Sequence, residues 1–252
     1  MSNPNLPPEL LDYIVDFLQD SRRALKNCCL ASKSWTPRTR KHLFAYVQFH
    51  TSWCLGSWKT TFPDRSTSPA RYTKTLHVIC SWEITAADAK ENDWIQTFSR
   101  VVCLRLDLSG LLEDNFAEYL ALFHGLSPAI KSLRLDFSPS PSPHIFNLIH
   151  SFPLLENLSV PSPNRHTDTN DVLYKQQIAA RSPPTFTGRL TLRGVDAIAT
   201  WLLSLPSGIH FRVLCLKWDH EDDVSSTTAL VESCSSTLKA LYVDFGLIGT
   251  SL

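Results

Sequence analysis

The chain has 252 residues, 43% hydrophobic and 19% charged, which supplies a substantial core, as one large domain or two smaller ones, and excludes a largely disordered protein. Its 24 lysines and arginines balance 24 aspartates and glutamates, so it lacks the basic footprint of a nucleic-acid or membrane-surface binder. A neutral chain of this kind meets partners through shape and apolar contact.

The opening Met1-Ser2-Asn3-Pro4-Asn5-Leu6-Pro7-Pro8 has no basic start and no apolar run of signal-peptide length. No later run approaches the ~20 apolar residues of a membrane span. The seven cysteines are an odd number, and Cys80, Cys103 and Cys215 fall inside expected strands. Buried free thiols fit this better than disulfides, and a reducing compartment, cytosol or nucleus, is expected.

Pro7-Pro8 opens a helix, because proline's fixed φ suits a first turn and its missing N–H costs nothing there. From Glu9 the run continues as an apolar helix. Leu10, Leu11, Tyr13, Ile14, Val15, Phe17 and Leu18 cover an arc of roughly 200°. One docking neighbour needs about 100°, so this helix carries enough for two. Asp20 or Ser21 caps a second helix through Leu25, Cys28, Cys29 and Leu30. A third segment holds Trp35, Leu43 and Phe44 among cations, with Pro37 breaking or restarting the helix. Three short helices make a very small core, so the module should complete itself against another surface.

Leu6-Pro7-x-Glu9-Leu10-Leu11-x-x-Ile14-Val15-x-Phe17-Leu18, then Leu25, Cys28-x-Leu30-Ala31, Ser34-Trp35 and Leu43-Phe44, resembles an F-box, and is most similar to the F-box-like segments that open many fungal proteins. Cys28-Cys29 and Ala31 stand where that family usually has larger aliphatics. The resemblance implies that Leu6, Pro7, Leu10, Ile14, Leu18, Leu30 and Trp35 lie at or beneath a surface that meets a Skp-type adaptor. Through it the chain would reach a cullin scaffold and a RING subunit. The competing reading makes residues 1–48 a structural cap on the adjoining domain.

Residues 49–74 carry Trp53, Trp58, Pro63 and Pro69 without a helical or strand period, and read as a packed, irregular connector. Beyond it one phrase recurs. Leu76-His-Val78-Ile-Cys80, Leu104-Arg-Leu106-Asp-Leu108 and Leu133-Arg-Leu135-Asp-Phe137 come first. Leu158-Ser-Val160, Leu190-Thr-Leu192, Leu214-Cys-Leu216-Lys-Trp218 and Leu241-Tyr-Val243-Asp-Phe245 come after them. Such alternation is the period of a half-buried strand, and the first leucines recur at roughly 24 to 32 residues.

Helical stretches are expected at Asp88–Phe98, Asn115–Phe123, His144–Phe152, Val195–Leu205 and Asp223–Ser233, with a weaker one at Asp171–Ala180. Strand, helix, strand at this pitch implies parallel strands in a curved solenoid. The expected fold is α+β: a small three-helix module, then over residues 75–252 an α/β solenoid similar to divergent leucine-rich repeats. An unrelated α/β domain is the alternative. The sequence stops at Gly246-Leu-Ile-Gly-Thr-Ser-Leu252 with no polar terminal cap in sight; a truncated product and a complete chain are both open.

A search for chemistry returns bland readings. No phosphate-binding glycine motif and no Cys-x-x-Cys pair occurs. His220-Glu221-Asp222-Asp223 reads as helix capping rather than a cation site. His77, His210 and Cys80 lack an oxyanion partner. Asn157-Leu158-Ser159 is a chance glycosylation pattern, and Ser138-Pro-Ser-Pro-Ser-Pro143 is a proline-rich loop. No catalytic residue, metal site or cofactor is expected.

With the solenoid reading, the resemblance implies a non-catalytic substrate-recognition subunit of an SCF (cullin-RING) ubiquitin ligase, and no nucleic-acid or membrane partner is expected. The alternative is a non-ligase binding scaffold. Outward strand residues of leucine-rich repeats line a concave face, here Arg105, Asp107, Arg134, Asp136, Ser159, Thr191, Cys215, Lys217, Tyr242 and Asp244. Arg105/Asp107 and Arg134/Asp136 repeat in adjacent units. They either read a protein target or form a solvated face with cross-strand pairing.

Overall fold

The computed structural model describes residues 7–50, 52–79, 93–109, 119, 120, 122–126, 129–136, 143–161, 184, 186–193, 196–218 and 223–245. Cys80, Phe137, Asp171–Ala180, Gly246–Leu252, and parts of the expected helices at Asp88–Phe98 and Asn115–Phe123 lie outside them. So do most of the proline-rich loop and His220 to Asp222.

Three helices open the chain. The first, α1 (Pro8–Phe17), starts on a proline and carries Glu9 in its first turn, where acid complements the helix dipole. The second, α2 (Arg22–Ala31), is capped by Ser21, whose Oγ accepts from the Ala24 N–H at 3.3 Å. The third, α3 (Thr36–Leu43), has Pro37 in its first turn, so that proline starts the helix and does not break it.

A single parallel sheet of eight strands comes next, each strand beside its chain neighbour, in an open solenoid-like arrangement. The strands are β1 (Tyr46–Phe49), β2 (Thr75–Ile79), β3 (Cys103–Asp107), β4 (Ser132–Asp136), β5 (Asn157–Val160), β6 (Arg189–Arg193), β7 (Val213–Trp218) and β8 (Ala240–Phe245). Seven of them are the recurring phrases. The eighth, β1, was not expected, and residues 49–74 are less irregular than their composition implies. They contain α4 (Ser52–Thr61) and a 3-10 turn at Pro69–Tyr72.

Crossover helices α5 (Pro143–His150), α6 (Asp196–Leu203) and α7 (Asp223–Cys234) fall where periodicity places them. Asp93–Thr97 is a 3-10 turn.

Strand register builds the core. Leu76, Leu104, Leu133, Leu158, Leu190 and Leu214 align across successive strands and are all buried. Two positions on, Phe49, Val78, Leu106, Leu135, Val160, Leu192 and Leu216 form a second buried column. Burial of each such side chain stabilises by about 1.5–3 kcal/mol. The first column ends at Leu241, 44% exposed, because β8 has a neighbour on one side only among the described residues. At the other end an aromatic cluster closes the core: Trp58 of α4 lies 5.7 Å from Phe49, 4.9 Å from Phe62 and 5.9 Å from Phe44, measured between ring centres.

The strands are locked at their starts. The carbonyl just before one strand accepts two consecutive N–H groups at the start of the next. Ala45 O takes those of Lys74 and Thr75, Lys74 O those of Val102 and Cys103, and Val102 O those of Lys131 and Ser132. Lys131, Gly188 and Arg212 continue the series, at 2.8–3.2 Å. One step departs from it. Before β6 the Glu156 carbonyl receives only the Gly188 N–H, while the Arg189 N–H donates to Asn157 Oδ1 at 2.8 Å. A side-chain amide there replaces the shared carbonyl. Gly188 is required beside it, because a Cβ would collide with Asn157 Oδ1 and come within 2.9 Å of Glu156 O.

Cysteine placement corrects one expectation. Cys103 and Cys215 are half-buried on outward-facing strand positions, and among the described residues the buried thiols are Cys28 and Cys234.

Asn157→Ala should lower unfolding free energy by about 0.5–1.5 kcal/mol, the net worth of one hydrogen bond to an exposed amide that water can then take over. Gly188→Ala should destabilise the wild type more than it destabilises Asn157→Ala, since part of the collision is then gone. Urea unfolding of the two single variants and the double variant measures the coupling; strict additivity would contradict this account.

Candidate functional site

Two surfaces stand out, one on the N-terminal helices and one on the outward face of the sheet. On α1, Leu10, Tyr13, Ile14 and Phe17 are 49%, 71%, 37% and 82% exposed. Their i, i+3, i+4, i+7 spacing sets them within an arc of about 100°. Val15, on the other side of the helix, is buried, and Leu11 is half-buried. The wide apolar arc is therefore two surfaces: one used inside the chain, one bare. Leu30, at the end of α2, is 87% exposed.

Of the residues expected at an adaptor surface, Pro7, Leu10, Ile14 and Leu30 are exposed, while Leu18 and Trp35 are half-buried. Leu6 lies outside the described residues. Tyr13 and Phe17 were not among the expected contacts, although they are the most exposed members of the α1 stripe. Their spacing from Leu10 was the available signal.

A polar tie holds α1 onto α3. Asp16 accepts from Arg38 through both carboxylate oxygens, with Arg38 Nε at 2.6 Å from Oδ1, and from His42 Nε2 at 2.6 Å. The hydrogen bond from Arg38, and then that from His42, holds the Asp16 carboxyl well below the usual carboxylate range.

The sequence matches no protein-family model and no curated protein.

On the sheet, register aligns the outward residues in rows. The central row runs Gln48, His77, Arg105, Arg134, Ser159, Thr191, Cys215, Tyr242. Asp107 and Asp136 are neighbours in the next row, as are Arg193, Lys217 and Asp244. Ion pairing departs from the cross-strand expectation at Arg134. Its Nε donates to Asp136 Oδ2 at 3.0 Å along its own strand, because register puts arginine opposite arginine. Lys217 and Asp244 do pair across strands, at 2.7 Å.

The first part of this face is crowded and polar. Tyr46 Oη lies 2.9 Å from His77 Nδ1. Burial pushes the His77 pKa down, and the Arg105 guanidinium and His50 push it the same way, against the Asp107 and Asp136 carboxylates. Between β6 and β8 the face opens into a hollow of about 330 Å³. His77 and His210 lie apart, on β2 and in the loop before β7. Among the described residues no three metal-ligating side chains cluster, and no helix is long and apolar enough to cross a membrane.

Two titrations check these environments. Asp16 is depressed when folded, so its tie stabilises fully above the ordinary carboxylate range near pH 4 and weakens as pH falls below it. The pair is partly solvent-exposed, so Asp16→Asn should cost only about 1 kcal/mol at neutral pH and remove this part of the acid sensitivity. In denaturant melts, equal acid slopes for both proteins would refute it. For His77, an NMR titration should give a midpoint below the ordinary value of about 6.5, rising in Arg105→Ala. A midpoint unmoved by that substitution would remove Arg105 from the account.

Proposed function

We propose that this chain is a substrate receptor of an SCF-type ubiquitin ligase. Residues 1–48 would act as an F-box-like module that binds a Skp-type adaptor, and the remainder as a divergent leucine-rich-repeat domain that binds a target protein. The observation that carries this reading is the bare stripe of Leu10, Tyr13, Ile14 and Phe17. A soluble helix seldom leaves four large apolar residues in line without a partner, and helix-in-groove recognition uses this i, i+3, i+4, i+7 set of anchors. The sequence resemblance at Leu10, Ile14 and Leu30 falls on exposed positions, which agrees with it.

The sheet supports the second half of the reading. Each strand offers its outward side chains on one continuous face, the kind of extended surface a solenoid uses for a protein ligand. The chain itself would contribute proximity, with ubiquitin transfer on other subunits. The row of Arg105, Arg134 and their aspartates would border the target, and Lys217, Tyr242 and Asp244 would meet it in the hollow.

One observation favours the scaffold reading. Phe44, at the end of α3, packs on Trp58 and Phe62, so the helices are joined to the sheet as a cap would be. That contact accounts for α3 and leaves the α1 stripe uncovered.

A pull-down with a purified Skp-type adaptor decides between them. Wild type should co-purify, and Leu10→Asp, Ile14→Asp and Phe17→Asp should each weaken capture by at least about 100-fold, a loss of ~2.7 kcal/mol or more, while melting as wild type does. Capture that survives all three changes, or is absent in the wild type, would abandon the ligase reading in favour of the scaffold.

A further inference from the structure

Strand β8 is an open edge of the sheet. It pairs with β7 along its whole length, Ala240 to Phe245, without a bulge. The Arg212 carbonyl accepts the Ala240 N–H at 3.1 Å, and the backbone groups of a strand point alternately to its two sides. Ala240, Tyr242 and Asp244 therefore turn their N–H and C=O groups toward β7, while Leu241 and Val243 turn theirs away. Among the described residues no strand pairs with those outward groups. The side chains are in the same condition. Leu241 is 44% exposed and Val243 half-buried, although each ends a column that is buried on β7.

Sheets protect such an edge with a short strand, a proline, a lysine or a bulge. At the opposite edge, β1 has only four residues. Strand β8 has six, and none of the other devices within it. Its one charge, Asp244, is held by Lys217 of the same sheet at 2.7 Å. An edge left in this state takes another strand.

The strand that fits is β8 itself. Antiparallel pairing of two copies about a two-fold axis at Tyr242 sets Leu241 opposite the partner's Val243, and Val243 opposite the partner's Leu241. Both residues present backbone groups to the edge, so each such pair exchanges two hydrogen bonds. Tyr242 meets the partner's Tyr242 on the outer face, and Ala240 faces the partner's Asp244, so no like charges are opposed. A slip of one residue would set inward side chains against outward ones. A slip of two would leave part of the strand unpaired. The contact closes at two copies and uses up the edge. The hollows of the two copies then lie on one outer face, on either side of the paired tyrosines.

We propose that β8 is a dimerisation edge, to which a second copy of this chain adds its own β8 antiparallel, making one continuous sheet. The proposal is independent of the adaptor reading, since the α1 stripe lies on a different element.

Sedimentation equilibrium of the full chain over about 1–100 μM should show a monomer–dimer equilibrium. Leu241→Lys, at a position already open to water, places a charge among the paired inner side chains and should weaken dimerisation at least about ten-fold. Ile14→Asp should leave it unchanged. Tyr242→Cys is made together with Cys215→Ser, because Cys215 is its neighbour on β7. It should cross-link to a dimer under mild oxidation, since the two thiols meet across the axis at a pair that exchanges no hydrogen bonds. Cys215→Ser alone should not. Hydrogen exchange at the Leu241 and Val243 amides should slow as protein concentration rises.

A dimer indifferent to Leu241→Lys, or one without the cross-link, would overturn the proposal. So would a dimer lost in Ile14→Asp, which moves the contact to α1, and a ladder of larger assemblies, which means head-to-tail stacking. A monomer at every concentration overturns it too. Slow exchange at those two amides would then assign the edge to another segment of the same chain, and fast exchange would leave it to a different protein.

Discussion

The sheet depends on one repeated arrangement, a carbonyl that accepts two successive amides from the start of the next strand. A carbonyl oxygen has two lone pairs, and both are used here. Because Ala45, Lys74, Val102, Lys131, Gly188 and Arg212 do this in turn, parallel strands align with no slip. A slip of one residue would turn every core leucine outward. Register in turn makes columns: leucine above leucine inside, arginine beside arginine outside. The outward face is therefore a set of rows whose size and charge change strand by strand, and its relief is set by that order. The β5–β6 step keeps register by other means, with Asn157 supplying the acceptor from its side chain.

Much of this was legible because period-two alternation survives irregular spacing. Leu104-Arg105-Leu106-Asp107 and Leu133-Arg134-Leu135-Asp136 state which side chains are inside without any knowledge of neighbours, and the strands lie where they were expected. Strand β1 escaped notice because Tyr46-Val47-Gln48-Phe49 has the alternation but none of the leucines, and it comes directly after a helix. Helix α4 was hidden by composition. Its Ser52, Gly56, Ser57, Thr60 and Thr61 are weak helix formers, and Trp58 serves the neighbouring aromatic cluster rather than a stripe of its own.

The candidate surfaces divide in the same way. The α1 stripe is local, since residues three and four apart meet by helix geometry alone. What sequence could not show is which half of the apolar arc is used inside the chain; that was settled by packing around Val15. The hollow between β6 and β8 is not local at all. Thr191, Cys215 and Tyr242 are separated by tens of residues and line one hollow only through register. Arg134 pairing along its strand is a similar case, since the sequence names both partners but not which residue faces which.

These two surfaces differ in what holds them. The sheet face rests on a deep core of aligned leucines and can carry a charged, uneven outer side at little cost. Among the described residues of its three helices, the helical module has Val15, Leu25 and Cys28 as buried apolar side chains. At about 1.5–3 kcal/mol for a full-sized aliphatic side chain, and less for cysteine, such a core is too small to fix three helices against their conformational entropy. Two other ties supplement it: the Asp16 pairs with Arg38 and His42, and the packing of Phe44 on Trp58. Both act through α3, so α1 is secured on one side and bare on the other. A partner that covered Leu10, Tyr13, Ile14 and Phe17 would supply the burial the module lacks, and module stability would then be coupled to binding.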